Sequence, residues 1–158
     1  MNNYINEHKR NFIVEYKKVP WASLKVGDII KIYYPKTLNL SGIKYKINNK
    51  NPHILILNKF HKGLVHALVI DYISTKELKK FKEWILKEYQ EKAEDDPNKK
   101  IDSAFNYLSK KVSNPLAFYN TQLSKYLTSN NINQEVYRTY YYIGIRSVNK
   151  AIVNWSQL

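Results

Sequence analysis

Two consecutive apolar runs, at residues 53–60 and 64–72, most constrain how this chain of 158 residues folds. They are separated by His61-Lys62-Gly63, and a glycine in a short connection between two strand-forming runs is typical of a hairpin. Apolar residues occupy successive rather than alternate positions in both runs. This pattern indicates strands covered on both faces, so we expect the hairpin to form the centre of the core.

A further strand is predicted before the hairpin. Residues 24–34 contain a Gly27-Asp28 turn that leads into a β-branched and aromatic run, which Pro35 ends. The polar stretch that follows, residues 36–52, is rich in lysine and asparagine. We expect an exposed loop there, with or without a short strand at residues 43–47.

Three helices in series are predicted after the hairpin. Ser74 and Glu77 have the spacing of a capping box, and helical periodicity continues to about Glu94. Asp96-Pro97 and Asn114-Pro115 each combine an N-cap residue with proline at the first helical position. In the third helix, the predicted buried side consists of Leu116, Tyr119, Leu123 and Leu127.

The C-terminal third returns to strand-forming composition, and we interpret Tyr137 to Ser147 as a strand that joins the sheet, with a helical turn over residues 133–141 as the alternative. The predicted fold class is α+β: a small antiparallel β-barrel or curled sheet with three helices packed outside and a C-terminal strand. The chain is interpreted as a single domain over residues 1–158. Its barrel strands lie at about 24–72, its helices at about 74–128 and its last strand at about 137–148.

Net charge is the strongest indication of a partner. The chain carries 26 lysines and arginines against 13 acidic residues, a formal net charge of +13, and the excess lies in residues 1–73 and 114–158. Such an excess favours a polyanionic partner. An AT-rich genome would also enrich the chain in lysine, asparagine, isoleucine and tyrosine, so codon usage is an alternative source of part of this charge.

Several classes of chemistry are not expected. The four glycines are isolated, which excludes a dinucleotide-binding fingerprint and a P-loop. There is no cysteine, and the predicted hairpin register keeps His53 and His66 apart, so neither a metal site nor a cofactor is expected. Asp28 and Asp71 are best explained by turn and strand-end placement. We therefore expect no catalytic residues. No uncharged apolar run approaches the roughly 20 residues needed to span a bilayer, so no membrane-spanning segment is expected either.

Basic side chains interleaved with aromatic ones are the candidates for a nucleic-acid interface. Tyrosines near the two C-terminal arginines would suit stacking on bases, although core packing or a structural role for Arg138 remains an alternative. Tyr140 and Tyr142 are the candidates for a subunit interface. The predicted nucleic-acid-binding residues are Lys36, Lys44, Lys46, Lys50, Lys59, Lys62, Arg138 and Arg146.

Short motifs spread along most of the chain resemble, in their order, those of small tailed-phage proteins labelled DNA end protectors. The resemblance implies a virion protein that shields the free ends of a packaged genome. The chain departs from the family pattern at Val69-Ile70-Asp71, where the family has an Asn-Leu-His run. The motifs are Tyr34-Pro35-Lys36-Thr37, Asn51-Pro52 with residues 54–57, Lys62-Gly63-Leu64, residues 68–73, Asn114-Pro115 with Phe118-Tyr119, and Tyr137-Arg138-Thr139-Tyr140.

A second resemblance covers about a third of the chain. Residues 26–30 and 52–57 are similar to the opening strands of the small barrel of ribosome-independent toxin endoribonucleases, but the catalytic Arg and Ser/Thr of those toxins have no match here. This resemblance implies that the predicted small antiparallel barrel or curled sheet is SH3-like, and it supports that fold rather than an activity.

Three functions follow from these observations. The first is a non-enzymatic bacteriophage virion protein that binds DNA ends or packaged DNA, independently of sequence, through basic loops. The second is a purely structural neck, tail or baseplate component whose basic surface faces acidic surfaces of other virion subunits. The third is a small-barrel endoribonuclease or DNase. The expected location is the virion, or the host cytoplasm during assembly, and an oligomer is compatible with all three.

Overall fold

The predicted α+β fold is confirmed: an antiparallel sheet curls into a half-barrel and carries helices on its outer face. The structure, a computed structural model, describes residues 11–34, 37–40, 43–46, 51–90, 93–145 and 147–158, with the backbone alone for 37–40 and 43–46. The strands are β1 (Ile13–Lys18), β2 (Ile29–Tyr33), β3 (Thr37–Leu40), β4 (Ile43–Lys46), β5 (His53–His61), β6 (Leu64–Val69), β7 (Tyr137–Tyr141) and β8 (Ser147–Val153). Six of them form the main sheet in the order β1-β8-β2-β5-β6-β7, and β3 and β4 pair separately.

The predicted hairpin is confirmed as β5 and β6, which occupy the middle of the sheet. Lys62 and Gly63 connect the strands with positive φ angles of 53° and 79°. Two consecutive residues with positive φ angles give the turn a twist that matches the right-handed twist of the strands. The buried part of β5 is residues 54–57, each with no exposed side-chain surface, as the run of successive apolar positions predicts.

Each face of this hairpin contributes to a different part of the core. Leu55, Leu57 and Leu68 pack in the cluster that contains the buried faces of the helices. Ile54 and Ile56 point to the opposite face, into a second cluster on the inner side of the curl. Because neighbouring strand residues point to opposite faces, one uninterrupted apolar segment supplies both layers.

The helices begin where the sequence predicts. Ser74 caps α1 (Thr75–Tyr89) in a complete capping box with Glu77, and Asp96 caps α2 (Pro97–Lys111). Helix α1 ends at Tyr89, before the predicted end near Glu94. Within the described ranges, no helix is both long and apolar enough to cross a bilayer.

The third helical stretch differs from the prediction in which side it buries. It consists of α3 (Pro115–Phe118), a π-helical segment (Tyr119–Leu123) and α4 (Ser124–Ser129). The π segment adds one residue to the turn, so Phe118 rather than Leu116 is buried in line with Leu123. The expectation that Leu116 is buried is wrong, since 55% of its surface is exposed.

The C-terminal segment forms two strands rather than one. A 3-10 turn over Tyr142–Gly144 separates β7, which pairs with β6, from β8, which lies between β1 and β2. The chain approaches Tyr34 closely at this turn. A Cβ on Gly144 would lie only 2.6 Å from the Tyr34 ring. The edge strand β1 was not predicted, since five of its six residues are exposed and its sequence has no apolar period.

Two glycines with positive φ allow a matched test of the fold. Gly27 has a φ of +94°, and a Cβ there would lie 2.4 Å from Phe105, whereas Gly63 has a φ of +79° and open space around it. We expect Gly63→Ala to lower the unfolding free energy by about 1–2 kcal/mol through backbone strain alone. Gly27→Ala should cost about 1–3 kcal/mol more because of the clash. Urea denaturation of both variants measures the difference, and equal losses would contradict the packing described here.

Candidate nucleic-acid interface

The structure locates only part of the predicted set of basic residues. Lys36, Lys50 and Arg146 lie outside the described residues. The backbones of Lys44 and Lys46 are in β4, opposite Asn39 and Thr37 of β3, so the predicted short strand at residues 43–47 is present as part of a hairpin. Lys59 and Lys62 are fully described and lie at the tip of the β5–β6 hairpin.

Arg138 is held by its own neighbourhood. Its Nε donates a hydrogen bond of 2.8 Å to the carbonyl oxygen of Glu135, and its guanidinium lies 4.0 Å from the Glu135 carboxylate. The guanidinium also lies 6.0 Å from the centre of the Tyr72 ring. These contacts tie β7 to the preceding turn, which favours the structural alternative for this arginine.

The two candidate interface tyrosines have different environments. Tyr140 is only 9% exposed and packs edge-on against Tyr34 in the inner core cluster, with ring centres 5.4 Å apart. Burial raises the pKa of Tyr140. The expectation that Tyr140 is available to another subunit is therefore wrong, because inward-facing residues of the strand complete the core. Tyr142 is 37% exposed, and its role in an interface stays a prediction.

Three aromatic side chains meet at the tip of the hairpin, and we call them the aromatic platform: Trp21, Phe60 and Tyr142. Tyr142 lies between the other two, with ring centres 5.1 Å from Trp21 and 5.4 Å from Phe60. Phe60 is 58% exposed. Ile143, next in the chain, is exposed as well. The platform is thus a partly open apolar surface.

Three distant segments position the platform. Trp21 begins a 3-10 turn directly after Pro20, and Phe60 is on β5 beyond its buried part. Tyr142 begins the turn after β7, and its backbone N–H donates a hydrogen bond of 3.0 Å to the carbonyl oxygen of Gly63. This bond anchors the Tyr142 turn directly to the tip of the hairpin.

Two lysines border the platform. The Lys59 ammonium lies 6.0 Å from the centre of the Trp21 ring and donates a hydrogen bond of 3.1 Å to the carbonyl oxygen of Ala22. Lys62 is exposed in the turn itself. Aromatic rings that stack on bases, next to cations that neutralise phosphates, are the two components of sequence-independent binding to single strands.

Sequence reasoning identified Lys59, Lys62 and Tyr142 but missed Trp21 and Phe60. For Phe60 a signal existed, since a large aromatic residue beside Lys59 at the end of an apolar run is at the point where the strand leaves the core. Trp21 gave no signal, because it lies outside any periodic segment and joins the platform only through the tertiary fold.

Among the described residues, no group of three or more histidine, aspartate or glutamate side chains is arranged so that it could hold a metal ion. No protein-family model matches the chain, and neither does any curated protein or solved structure with which it was compared. The resemblances to DNA end protectors and to toxin endoribonucleases therefore stay predictions.

The two tyrosines provide a test of this assignment. Tyr140→Ser should lower the unfolding free energy by about 3 kcal/mol or more, as expected for loss of a buried aromatic side chain. Tyr142→Ser should lower it by about 1 kcal/mol, because only edge contacts between rings are lost. Thermal or urea denaturation measures both effects. An equal loss in the two variants would show that Tyr142 belongs to the core and would contradict the platform as an open surface.

Proposed function

We propose that this protein is a bacteriophage virion-associated protein that binds DNA ends, and that the aromatic platform with Lys59 and Lys62 is its contact surface. The single observation that supports this proposal is the meeting of three aromatic rings and two lysines at one exposed hairpin tip. Binding of this kind needs no chemical step. The virion, or the host cytoplasm during assembly, is the corresponding location.

The geometry favours ends and single strands over the interior of a duplex. Inside a duplex each base is covered on both faces by its neighbours, and only its edges are accessible. At a terminus or in an overhang a base exposes a flat aromatic face, on which side chains such as Phe60 and Tyr142 stack. A surface with exposed rings and few cations thus gains the most binding free energy where the face of a base is exposed.

The charge of the chain supports the same partner. A net charge of +13 attracts DNA over a distance that depends on salt. Phosphate contacts made by lysines carry no sequence information, so we expect binding that is independent of sequence.

A structural role in the neck, tail or baseplate is the second candidate, and one observation favours it. Phe60, which belongs to the platform, and Ile143, which follows Tyr142 in the chain, expose 58% and 66% of their surfaces. Exposed apolar side chains at one place are also typical of protein interfaces. In that case the platform would contact another virion subunit, and the basic residues would face its acidic surface.

Separate losses of stacking and of charge test the proposed DNA contact. Tyr142→Ala should weaken binding to a short DNA overhang about 10-fold without changing the salt dependence, since stacking contributes about 1–3 kcal/mol per base. The double variant Lys59→Gln with Lys62→Gln should weaken binding and reduce the slope of log affinity against log salt by about 0.7 per lost contact. Fluorescence anisotropy at several salt concentrations measures both.

The matched control is Tyr107→Ala with Lys111→Gln. This pair also places a lysine near a tyrosine ring, at 5.2 Å, but on α2 and outside the platform. Its binding should equal that of the unchanged protein. A covalently closed circular DNA should compete poorly with linear DNA. Unchanged affinity in the platform variants, together with their failure to enter purified particles, would replace this proposal with the structural role.

A further inference from the structure

A hydrogen-bonded chain of three side chains crosses the sheet from buried to exposed. Asp71, in the turn after β6, has a side chain that is 10% exposed and lies 2.9 Å from Nδ1 of His53, whose side chain is 22% exposed. The other ring nitrogen of His53, Nε2, lies 2.9 Å from the hydroxyl of Tyr16, a residue that is 46% exposed. None of these residues belongs to the aromatic platform.

The direction of these hydrogen bonds follows from the chemistry of the groups. The Asp71 carboxylate accepts a hydrogen bond of 2.8 Å from the backbone N–H of His53 through one oxygen, so its other oxygen faces Nδ1 of the same residue. An ionised carboxylate only accepts, so Nδ1 carries the proton. In a neutral imidazole Nε2 then has the free electron pair, and the Tyr16 hydroxyl is the donor to it.

This arrangement has the three parts of an activated nucleophile. Tyr16 has the attacking oxygen, His53 is positioned to take its proton, and Asp71 orients the ring and would stabilise the imidazolium that forms. The hydroxyl is on an exposed edge strand, where a large substrate has access. Tyr33 on β2 is 43% exposed, but the structure describes no such histidine contact for it.

The nearby charge indicates the class of substrate. Lys31, paired with His53 across β2 and β5, places its ammonium 6.0 Å from the centre of the Tyr16 ring. Lys18, two residues after Tyr16 on β1, is on the same side of the strand, whereas Lys17 points to the other side and lies 3.8 Å from the Glu15 carboxylate. An ammonium near the ring of a nucleophilic phenol favours a substrate that is anionic and gains negative charge during the reaction.

We propose that Tyr16, His53 and Asp71 form a second site, in which Tyr16 attacks a phosphodiester of nucleic acid and becomes covalently linked to its phosphorus. A bond forms between the Tyr16 hydroxyl oxygen and phosphorus, and the bond from phosphorus to one sugar oxygen breaks. The phenolic proton moves to Nε2 of His53, which then donates it to the leaving oxygen. The step needs no oxidant, reductant or water. Its substrate rests on the proposed function, whereas the activation of Tyr16 does not.

Reactivity of the folded protein toward an aryl sulfonyl fluoride tests the activation without nucleic acid. We expect Tyr16 to be modified at least about 10-fold faster than Tyr33, as measured by mass spectrometry of the peptides. His53→Gln should remove this advantage, and it leaves the backbone N–H of residue 53 to donate to Asp71. Equal rates for the two tyrosines, or a rate at Tyr16 unaffected by His53→Gln, would overturn the proposal.

The tautomer of His53 tests the positioning role of Asp71. At a pH at which the ring is neutral, long-range nitrogen–proton NMR of the unchanged protein should show its proton on Nδ1. Asp71→Asn should shift this balance toward the Nε2-protonated form, because an amide can turn its NH₂ group toward Nδ1. A ring protonated on Nε2 in the unchanged protein would overturn the proposed direction of proton transfer.

A fluorescent single-stranded oligonucleotide tests the substrate. After incubation and denaturation in SDS, the unchanged protein and Tyr33→Phe should carry covalently bound label, and Tyr16→Phe should carry none. An oligonucleotide that binds at low salt without forming any such adduct would overturn the assignment of the substrate and with it the proposal. An oligonucleotide that does not bind at all would refute the proposed function instead, and the sulfonyl fluoride experiment would then decide whether Tyr16 is an activated nucleophile.

Discussion

The burial of the β5–β6 hairpin on both of its faces is the constraint on which the rest of the structure depends. Four successive residues, 54–57, have no exposed surface, so each side of the hairpin needs its own cover. The helices supply one cover, and the curl of the sheet toward β7 supplies the other. A hairpin with one polar face would need a covering layer on its apolar face only. A curled sheet would then not be required to bury it.

Both candidate sites lie where this burial stops. At one end of β5, beyond Leu57, the strand carries Phe60 out of the core and into the aromatic platform. At the other end, His53 begins the strand and is only partly covered. The side chains between the two ends of β5 are buried in the core, so only those at the ends of the strand are accessible to a ligand. The core thus separates a surface suited to stacking from a cluster suited to proton transfer.

The sequence predicted those parts of the fold that depend on neighbouring residues. The hairpin turn at Lys62 and Gly63 and the capping box at Ser74 are local, and both are observed. Contacts between distant segments were not predictable in this way. Tyrosine suits both buried and exposed positions, so the sequence alone does not decide whether Tyr140 is buried. The contact with Tyr34, which the tertiary fold creates, is what buries it. The hydrogen bond between Tyr16 and His53 was not predictable either, because β8 and β2 lie between their strands in the sheet.

The π-helical segment after α3 has a consequence for tolerance to changes in chain length. Phe118, Leu123 and Leu127 are all buried, although the first interval is five residues and the second is four. A regular α-helix with a five-residue interval would turn one of these side chains away from the core, since each residue advances the helix by about 100°. The wider turn absorbs this extra residue. The helix therefore behaves as an ordinary one with a single insertion, and loss of one exposed residue there would shorten it without changing which side faces the core.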